Sequence, residues 1–318
     1  AAIRGEHFLP ALQQGMAEQR REVRAIAVAP SAPTFRNTIE ALERSGALLT
    51  RVSKVFFNLT ESNTDKTLQQ VQAEVAPLLA QHADAIRLDP ELFARIEAVF
   101  AARASLSPEE RRVCERYHTD FVRGGARLEP KAKARLRELN AELSTLTTRF
   151  QELLLAGTAA NAVLVDAKEE LRGLDEASIS AAAAAAKAAG HEGKFLLTLQ
   201  LPSPQGVLAS LQDRRTRQRV HTASVERCSR GDEHDTRALC ARIAALRAER
   251  AALFGDASHA AYVLADQMAG SPKAVADMLS GMSKAIVAKA EAEAAELKAH
   301  FATTNKGEDL QPWDWAFV

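Results

Sequence analysis

Aromatic residues make up 5% of this 318-residue chain, and cysteine occurs three times, at Cys114, Cys228 and Cys240. Three scattered thiols without a Cys-x-x-Cys pair exclude a disulfide framework and point to a reducing compartment, the cytoplasm. Net charge is missing too. Lys+Arg and Asp+Glu both number 41, leaving no overall field to draw in nucleic acid or an anionic membrane. No apolar run approaches the ~20 residues that cross a bilayer. The start, "AAIRGEHFLPALQQGM", has no charged region leading into an apolar stretch, so no signal peptide is expected. The chain also lacks a Gly-x-Ser-x-Gly elbow, a Gly-x-Gly-x-x-Gly loop, a Walker A loop and any repeat of fixed period.

What is present is helical periodicity. A chain of this length buries roughly three-quarters of its unfolded surface and needs no metal or disulfide to hold a core. Ala132, Leu136, Leu139, Leu143, Leu146, Phe150 and Leu153 recur in steps of four and three, a heptad seam that predicts a long helix hairpin. Three helix starts carry a capping residue followed by proline: Asp89-Pro90, Ser107-Pro108 and Ser271-Pro272. Glu110 completes a capping box with Ser107. Val113, Tyr117 and Phe121 form a stripe that stops at Gly124-Gly125, and Leu239, Ile243, Leu246 and Leu253 form one that stops at Gly255. Val275, Met278, Leu279, Met282, Ile286, Leu297 and Phe301 predict a last long helix to about residue 302, and a helix starting near Asp65 is expected to kink at Pro77.

One stretch departs from this pattern. "AVLVD" (162–166) and "KFLLTLQ" (194–200) read as strands, separated by an alanine-rich helix over 175–189. The expected fold class is therefore mainly α: a multi-helix lobe with long antiparallel hairpins and a small two-stranded β insertion. The expected divisions are a helical region 1–157, an α/β insertion 158–202 and a second helical region 203–318.

Four constellations could carry chemistry. "HEGKF" (191–195) imitates a zincin helix, but Phe195 stands where the second histidine belongs and Gly190 and Gly193 predict a turn. Glu115 and His118 have the spacing of a di-iron half-site, yet no second Glu-x-x-His exists, so a surface pair is expected. Asp232, Glu233, His234 and Asp235 cluster before a helix start, and Asp235 is expected to cap a helix beginning at Thr236. The basic run "RRTRQRVH" (214–221) places Arg214 and Arg217 on one side of a helix and Arg215 and Arg219 on another, with no aromatic between them. A solvated face is the default reading. The sharper alternative is an arginine that attracts a peptide carboxylate. The expected catalytic, cofactor-binding and metal-ligating residues within this chain are none.

"LQPWDWAFV" (310–318) holds both tryptophans, Trp313 and Trp315, in the last residues, where indoles contribute only if something covers them. Taken in order, "AAIRGEHFLPALQQGMAEQ" (1–19), "PTFRNTIEALERSG" (33–46), "RVSKVFFNLTESNT" (51–64), "LDPELFARI" (88–96), "RLRELNAELSTLTTRFQ" (135–151), "SRGDEHDTRAL" (229–239), "HAAYVLADQMA" (259–269) and "QPWDWAF" (311–317) resemble the N-terminal part of the thimet oligopeptidase family of zinc metallopeptidases. "FFNLT" and "PWDWAF" favour its peptidyl-dipeptidase branch over the oligopeptidase A branch. Gly5 and Val318 depart from the family pattern. The resemblance implies a cytoplasmic, monomeric enzyme acting on oligopeptides. Its zinc ligands and catalytic glutamate lie in a second half, which none of these residues matches. It therefore implies a truncated chain that walls the substrate channel and is inactive alone. The alternatives are a non-catalytic helical scaffold or peptide-binding module, and an oligopeptidase A-like endopeptidase.

Overall fold

The computed structural model describes residues 3–200 and 203–318. Ala1 and Ala2, where the first resembling segment starts, and position 202, an expected division, lie outside them. The chain forms two compact units, residues 1–149 with 241–266 and residues 150–240 with 267–318.

In chain order the first unit opens with α1 (Phe8–Ala27), α2 (Ala41–Arg44), α3 (Ala47–Ser62), α4 (Lys66–Arg87), α5 (Pro90–Ala101) and α6 (Pro108–Arg123). Next comes α7 (Pro130–Ala160), whose last residues belong to the second unit. The second unit adds β1 (Val163–Val165), α8 (Glu176–Ala188), β2 (Phe195–Leu197), α9 (Ser203–Ser210) and α10 (Arg214–Val225). Most of α11 (Arg237–Leu253) and all of α12 (His259–Leu264) return to the first unit, and α13 (Pro272–Thr304) lies in the second. The fold is mainly α, and its two-stranded sheet is antiparallel, with Val163, Leu164 and Val165 opposite Leu197, Leu196 and Phe195.

Local chemistry accounts for the helix starts. Asp65 accepts a hydrogen bond from Leu68 N at 2.8 Å and opens α4, which runs on through Pro77. Asp89 accepts from Glu91 N and Leu92 N. Ser107 and Glu110 satisfy each other's backbone N–H in a capping box, and Ser271 accepts from Ala274 N. Each bond occupies a donor that the first helical turn leaves without a partner.

The heptad seam of α7 buries Leu136, Leu139, Leu143 and Leu153. Along α7 and α11 two arginine pairs fix an antiparallel register: Arg135 Nε lies 2.6 Å from Glu249 Oε1, and Arg242 Nε 2.7 Å from Glu142 Oε1. Advancing along α7 from 135 to 142 means retreating along α11 from 249 to 242. These pairs are exposed and stabilise by less than about 1 kcal/mol each, so they select alignment more than they supply stability.

Two apolar clusters build the first unit. Phe8, Leu12, Met16, Phe56 and Val75 form one, and Val23, Ile39, Leu92, Ile96 and Phe121 lie in the other. Close approach of α1 and α3 requires Gly15, because a Cβ there would stand 2.8 Å from Leu49 Cα. In the second unit Val163, Val165 and Leu197 pack with Ile179 and Ala182 of α8 and Val220 and Ala223 of α10. The small alanines bring these helices close to the sheet.

The long helix α13 is different. Met278, Leu279, Met282, Ile286 and Val287 are between 50% and 58% exposed, and only Phe301 of this helix is buried. Among the described residues no helix is long and apolar enough to cross a membrane.

Candidate functional site

The zincin-like letters fall in a turn. His191 follows α8 in an exposed loop where Gly190 and Gly193 have φ of 84° and 82°. Glu192 pairs with Lys187 at 3.1 Å, and Phe195 begins β2. Nothing there turns two donors toward one point.

Glu115 and His118 go separate ways. Glu115 lies 4.0 Å from Arg103 and 3.9 Å from Arg112. His118 is buried, its ring stacked 3.7 Å from that of Phe100 at an interplanar angle of 7°, with Phe93 5.9 Å away. Its Nε2 sits 3.3 Å from Arg127 Nη2, a nitrogen that can only donate, so Nε2 is the acceptor. Burial first, and then the charge of Arg127, hold the imidazole below its usual range. The expected surface pair is thus corrected to a neutral core histidine. The phenylalanines that enclose it come from α5, which the spacing within α6 could not reveal.

The acidic cluster divides its labour in the same way. Asp235 accepts from Gly231 N at 2.7 Å and from Arg237 N at 3.0 Å, and its carboxylate pairs with the Arg237 guanidinium at 2.6 Å. It serves the start of α11, which begins at Arg237, one residue later than expected. The hydrogen bonds from Arg237 hold this carboxyl well below the usual range. Asp232 accepts from His234 N at 2.9 Å, while Glu233 points to solvent. The Cβ of His234 packs 3.1 Å from where a Cβ on Gly157 would stand, so α7 carries a glycine at that point.

Burial pushes the thiols of Cys114 and Cys228 up, which makes neither an activated nucleophile. Among the described residues no three His, Cys, Asp or Glu side chains gather in a way that could hold a metal ion. The donors present do not fit a catalytic zinc.

The basic run is where the sequence reading changes most. Arg215 is exposed, but Arg217 is buried and Arg214 largely so. Both grip the fully buried carboxylate of Asp314, from the "PWDW" segment. Arg214 donates from Nε to both carboxylate oxygens at 3.1 Å and from Nη2 to Oδ2 at 2.8 Å. Arg217 donates from Nη2 to Oδ1 at 3.0 Å, and the Gln311 N–H adds a bond at 3.0 Å. Burial alone would raise this carboxyl, but the arginine and backbone bonds outweigh it and hold the group below its ordinary value. Other guanidinium donors are used as well, whereas Arg217 Nε is buried without a hydrogen-bond partner. Arg217 Nη1 reaches Leu211 O at 2.6 Å and Gln212 O at 3.1 Å, and Arg214 Nη1 reaches Glu308 at 2.6 Å.

The default solvated face is therefore corrected for Arg214 and Arg217. The side they share, visible in their spacing, meets a carboxylate of the chain itself. The aromatic rings of the segment follow. Phe317 lies over the Arg217 guanidinium at 3.9 Å, and Trp313 meets His221 edge-on at 6.1 Å. Trp315 stays 45% exposed. The segment is thus anchored by Asp314 more than by its indoles.

Residues 207–318, which contain this whole clamp, match Peptidase family M3. Similarity to relatives extends along the rest of the chain as well. Over 99% of its length the chain is 40% identical to the dipeptidyl carboxypeptidase of Escherichia coli K12, of which it covers 46%. It is 38% identical over 99% of its length to the dipeptidyl carboxypeptidase of Salmonella typhimurium, covering 47% of that protein. The Salmonella oligopeptidase A is 29% identical over the whole chain, again with 47% covered. The chain spans about half the length of the curated relatives it matches.

Proposed function

We propose that this chain forms the N-terminal lobe of a zinc metallopeptidase that releases C-terminal dipeptides from oligopeptides. The observation that carries this reading is the 40% identity to a dipeptidyl carboxypeptidase across nearly every residue here but only 46% of that relative. Two features of the chain support it. No described donor set fits a zinc ion, so the metal and its chemistry fall to the remainder of the polypeptide. The apolar stripe of α13, half-exposed over Met278 to Val287, offers that remainder a packing face. In this reading the lobe walls the peptide channel, works in the cytoplasm, and has no hydrolytic activity alone. The Arg214–Arg217–Asp314 clamp fixes the direction in which the chain leaves it.

The test is to express the uninterrupted polypeptide from its gene beside residues 1–318 alone. Zinc content is measured on both, and products from a C-terminally extended peptide are identified by mass spectrometry. The longer protein is expected to hold one zinc and release dipeptides, and the 318-residue chain to do neither. Stoichiometric zinc with turnover by residues 1–318 would overturn the lobe reading. Internal cleavage by the longer protein would replace dipeptide release with an oligopeptidase A-like activity, and no cleavage by either would leave the scaffold reading.

A further inference from the structure

A cavity of about 500 Å³ lies wholly within the first unit, and neither the fold nor the peptidase reading uses it. Helices α4, α6, α7, α11 and α12 all contribute to its wall. Five arginines line it, against three aspartates. One arginine is already neutralised: Arg116 pairs with Asp120 and, through two bonds at 2.6 and 3.0 Å, with Asp266. That leaves Arg87, Arg123, Arg247 and Arg250 facing a single carboxylate, Asp84.

Asp84 does not absorb those charges. It is buried at the cavity wall and accepts one hydrogen bond, from Asn140 Nδ2 at 2.8 Å. Burial pushes its carboxyl up even though Arg137, Arg87 and Arg250 pull the other way. Direct guanidinium bonds turn the direction at Asp314, where burial is still the largest single cause but the arginine and backbone bonds together outweigh it. Among the described residues none of the four arginines has a carboxylate within salt-bridge distance, 4.0 Å.

Two of the four are held in place by something other than charge. Arg123 and Arg250 stand over the Tyr262 ring at 4.5 and 5.2 Å, Arg123 donates to Tyr262 O, and the Tyr262 hydroxyl donates to Arg123 O at 2.7 Å. Cation–π contact orients a guanidinium while leaving most of its N–H edge unused. The positive field reaches the surroundings: burial, and then the charges of Arg247 and Arg250, hold the His259 imidazole below its usual range. An excess of two positive charges around a hollow with a partly apolar floor, Leu136, Leu143 and Phe254, is repulsive unless something anionic joins it.

We propose that this cavity binds a small multivalent oxyanion, a compact molecule with at least two phosphoryl or carboxylate groups, with Arg87 and Arg247 as its free-standing contacts and the Tyr262-braced Arg123 and Arg250 behind them. A single carboxylate, such as a peptide end, would leave half of the excess uncompensated. Guanidinium forks match both oxyanion geometries in bidentate fashion. The site rests on the first unit alone and stands or falls apart from the peptidase reading.

The test is calorimetric titration of the 318-residue chain with inorganic pyrophosphate and, separately, with citrate, at ionic strength fixed with sodium chloride. Saturable one-to-one binding of at least one probe is expected. Preference for pyrophosphate assigns a phosphoryl ligand, and preference for citrate a polycarboxylate. In the Arg87→Gln/Arg247→Gln double variant the affinity should fall about tenfold or more, the loss of two charge-assisted contacts. Both side chains are exposed and, among the described residues, make no hydrogen bond or salt bridge, so the variant should keep its circular dichroism and melting temperature. A second readout needs no variant: a dicarbonyl reagent should modify Arg247 and Arg250 more slowly when the bound anion is present, as followed by peptide mass spectrometry. No saturable binding of either anion, unchanged affinity in the double variant, or unchanged modification of both arginines would each overturn the assignment.

Discussion

Asp84 and Asp314 are both buried carboxylates in arginine-rich surroundings, and the protein treats them in opposite ways. At Asp314 two guanidiniums and a backbone N–H make direct bonds, and the group is held ionised. At Asp84 the only direct partner among the described residues is the amide of Asn140, the arginines stay at a distance, and burial raises the carboxyl. The lesson is one of commitment. Arginines spent on an internal carboxylate hold architecture, whereas arginines left beside one retain charge for something else. Composition cannot tell the two apart, because both regions are simply rich in arginine.

The largest effect should come from breaking the committed pair. Asp314→Ala leaves Arg217 buried without its counter-charge and is expected to cost about 3–5 kcal/mol, measured by urea unfolding of the 318-residue chain. Amide exchange over residues 305–318 should accelerate at the same time.

A middle-sized effect distinguishes the two carboxylates by the sign of their pH dependence. An unfolded aspartate titrates near pH ~4. The depressed Asp314 contributes stability above that range and loses it as pH falls through its folded value. The raised Asp84 does the reverse: its contribution is full below the unfolded value and is lost as pH rises through the folded one. Asp84→Asn keeps an acceptor for Asn140, and should therefore raise stability near pH 7 by less than about 1.5 kcal/mol. That gain should shrink toward acid. The deficit of Asp314→Asn should likewise be greatest near neutrality and close as pH falls. Unfolding curves between pH 3 and 7 measure both, and parallel slopes for the two variants would contradict the contrast.

The smallest effect belongs to the cavity arginines that form no salt bridge among the described residues. Arg247→Gln should change stability by no more than about 0.5 kcal/mol, as exposed substitutions away from special contacts do. Arg217→Gln should exceed it several-fold in the same thermal scan, since it removes three of the bonds that hold Asp314, Leu211 and Gln212.

What the sequence made legible was whatever is written within a few residues. The caps at Asp89, Ser107 and Ser271 depend on donors two or three positions away, and the seam of α7 depends on its own spacing. The strands flanking the alanine helix were readable for the same reason: each is a short apolar run of its own, "AVLVD" and "KFLLTLQ". What stayed hidden needed partners brought from afar. Phe93 and Phe100, which turn His118 from a surface residue into a core one, sit in another helix. Asp314 lies 100 residues from Arg214. The side shared by Arg214 and Arg217 was visible in their spacing, but not what it faced. The cavity arginines come from three helices, and no stretch of sequence gathers them into a motif.

Helix α13 has a mechanical consequence. Its 33 residues make a rod about 50 Å long, at 1.5 Å of rise per residue. Its one buried side chain, Phe301, is near the C-terminal end, so the rod is gripped at that end and presents a long arm beyond it. From Phe301 to Val275 is about 39 Å of helix. A ten-degree change of direction at the grip would carry Val275 through about 7 Å, enough to turn a small repacking around one phenylalanine into a displacement the width of a side chain.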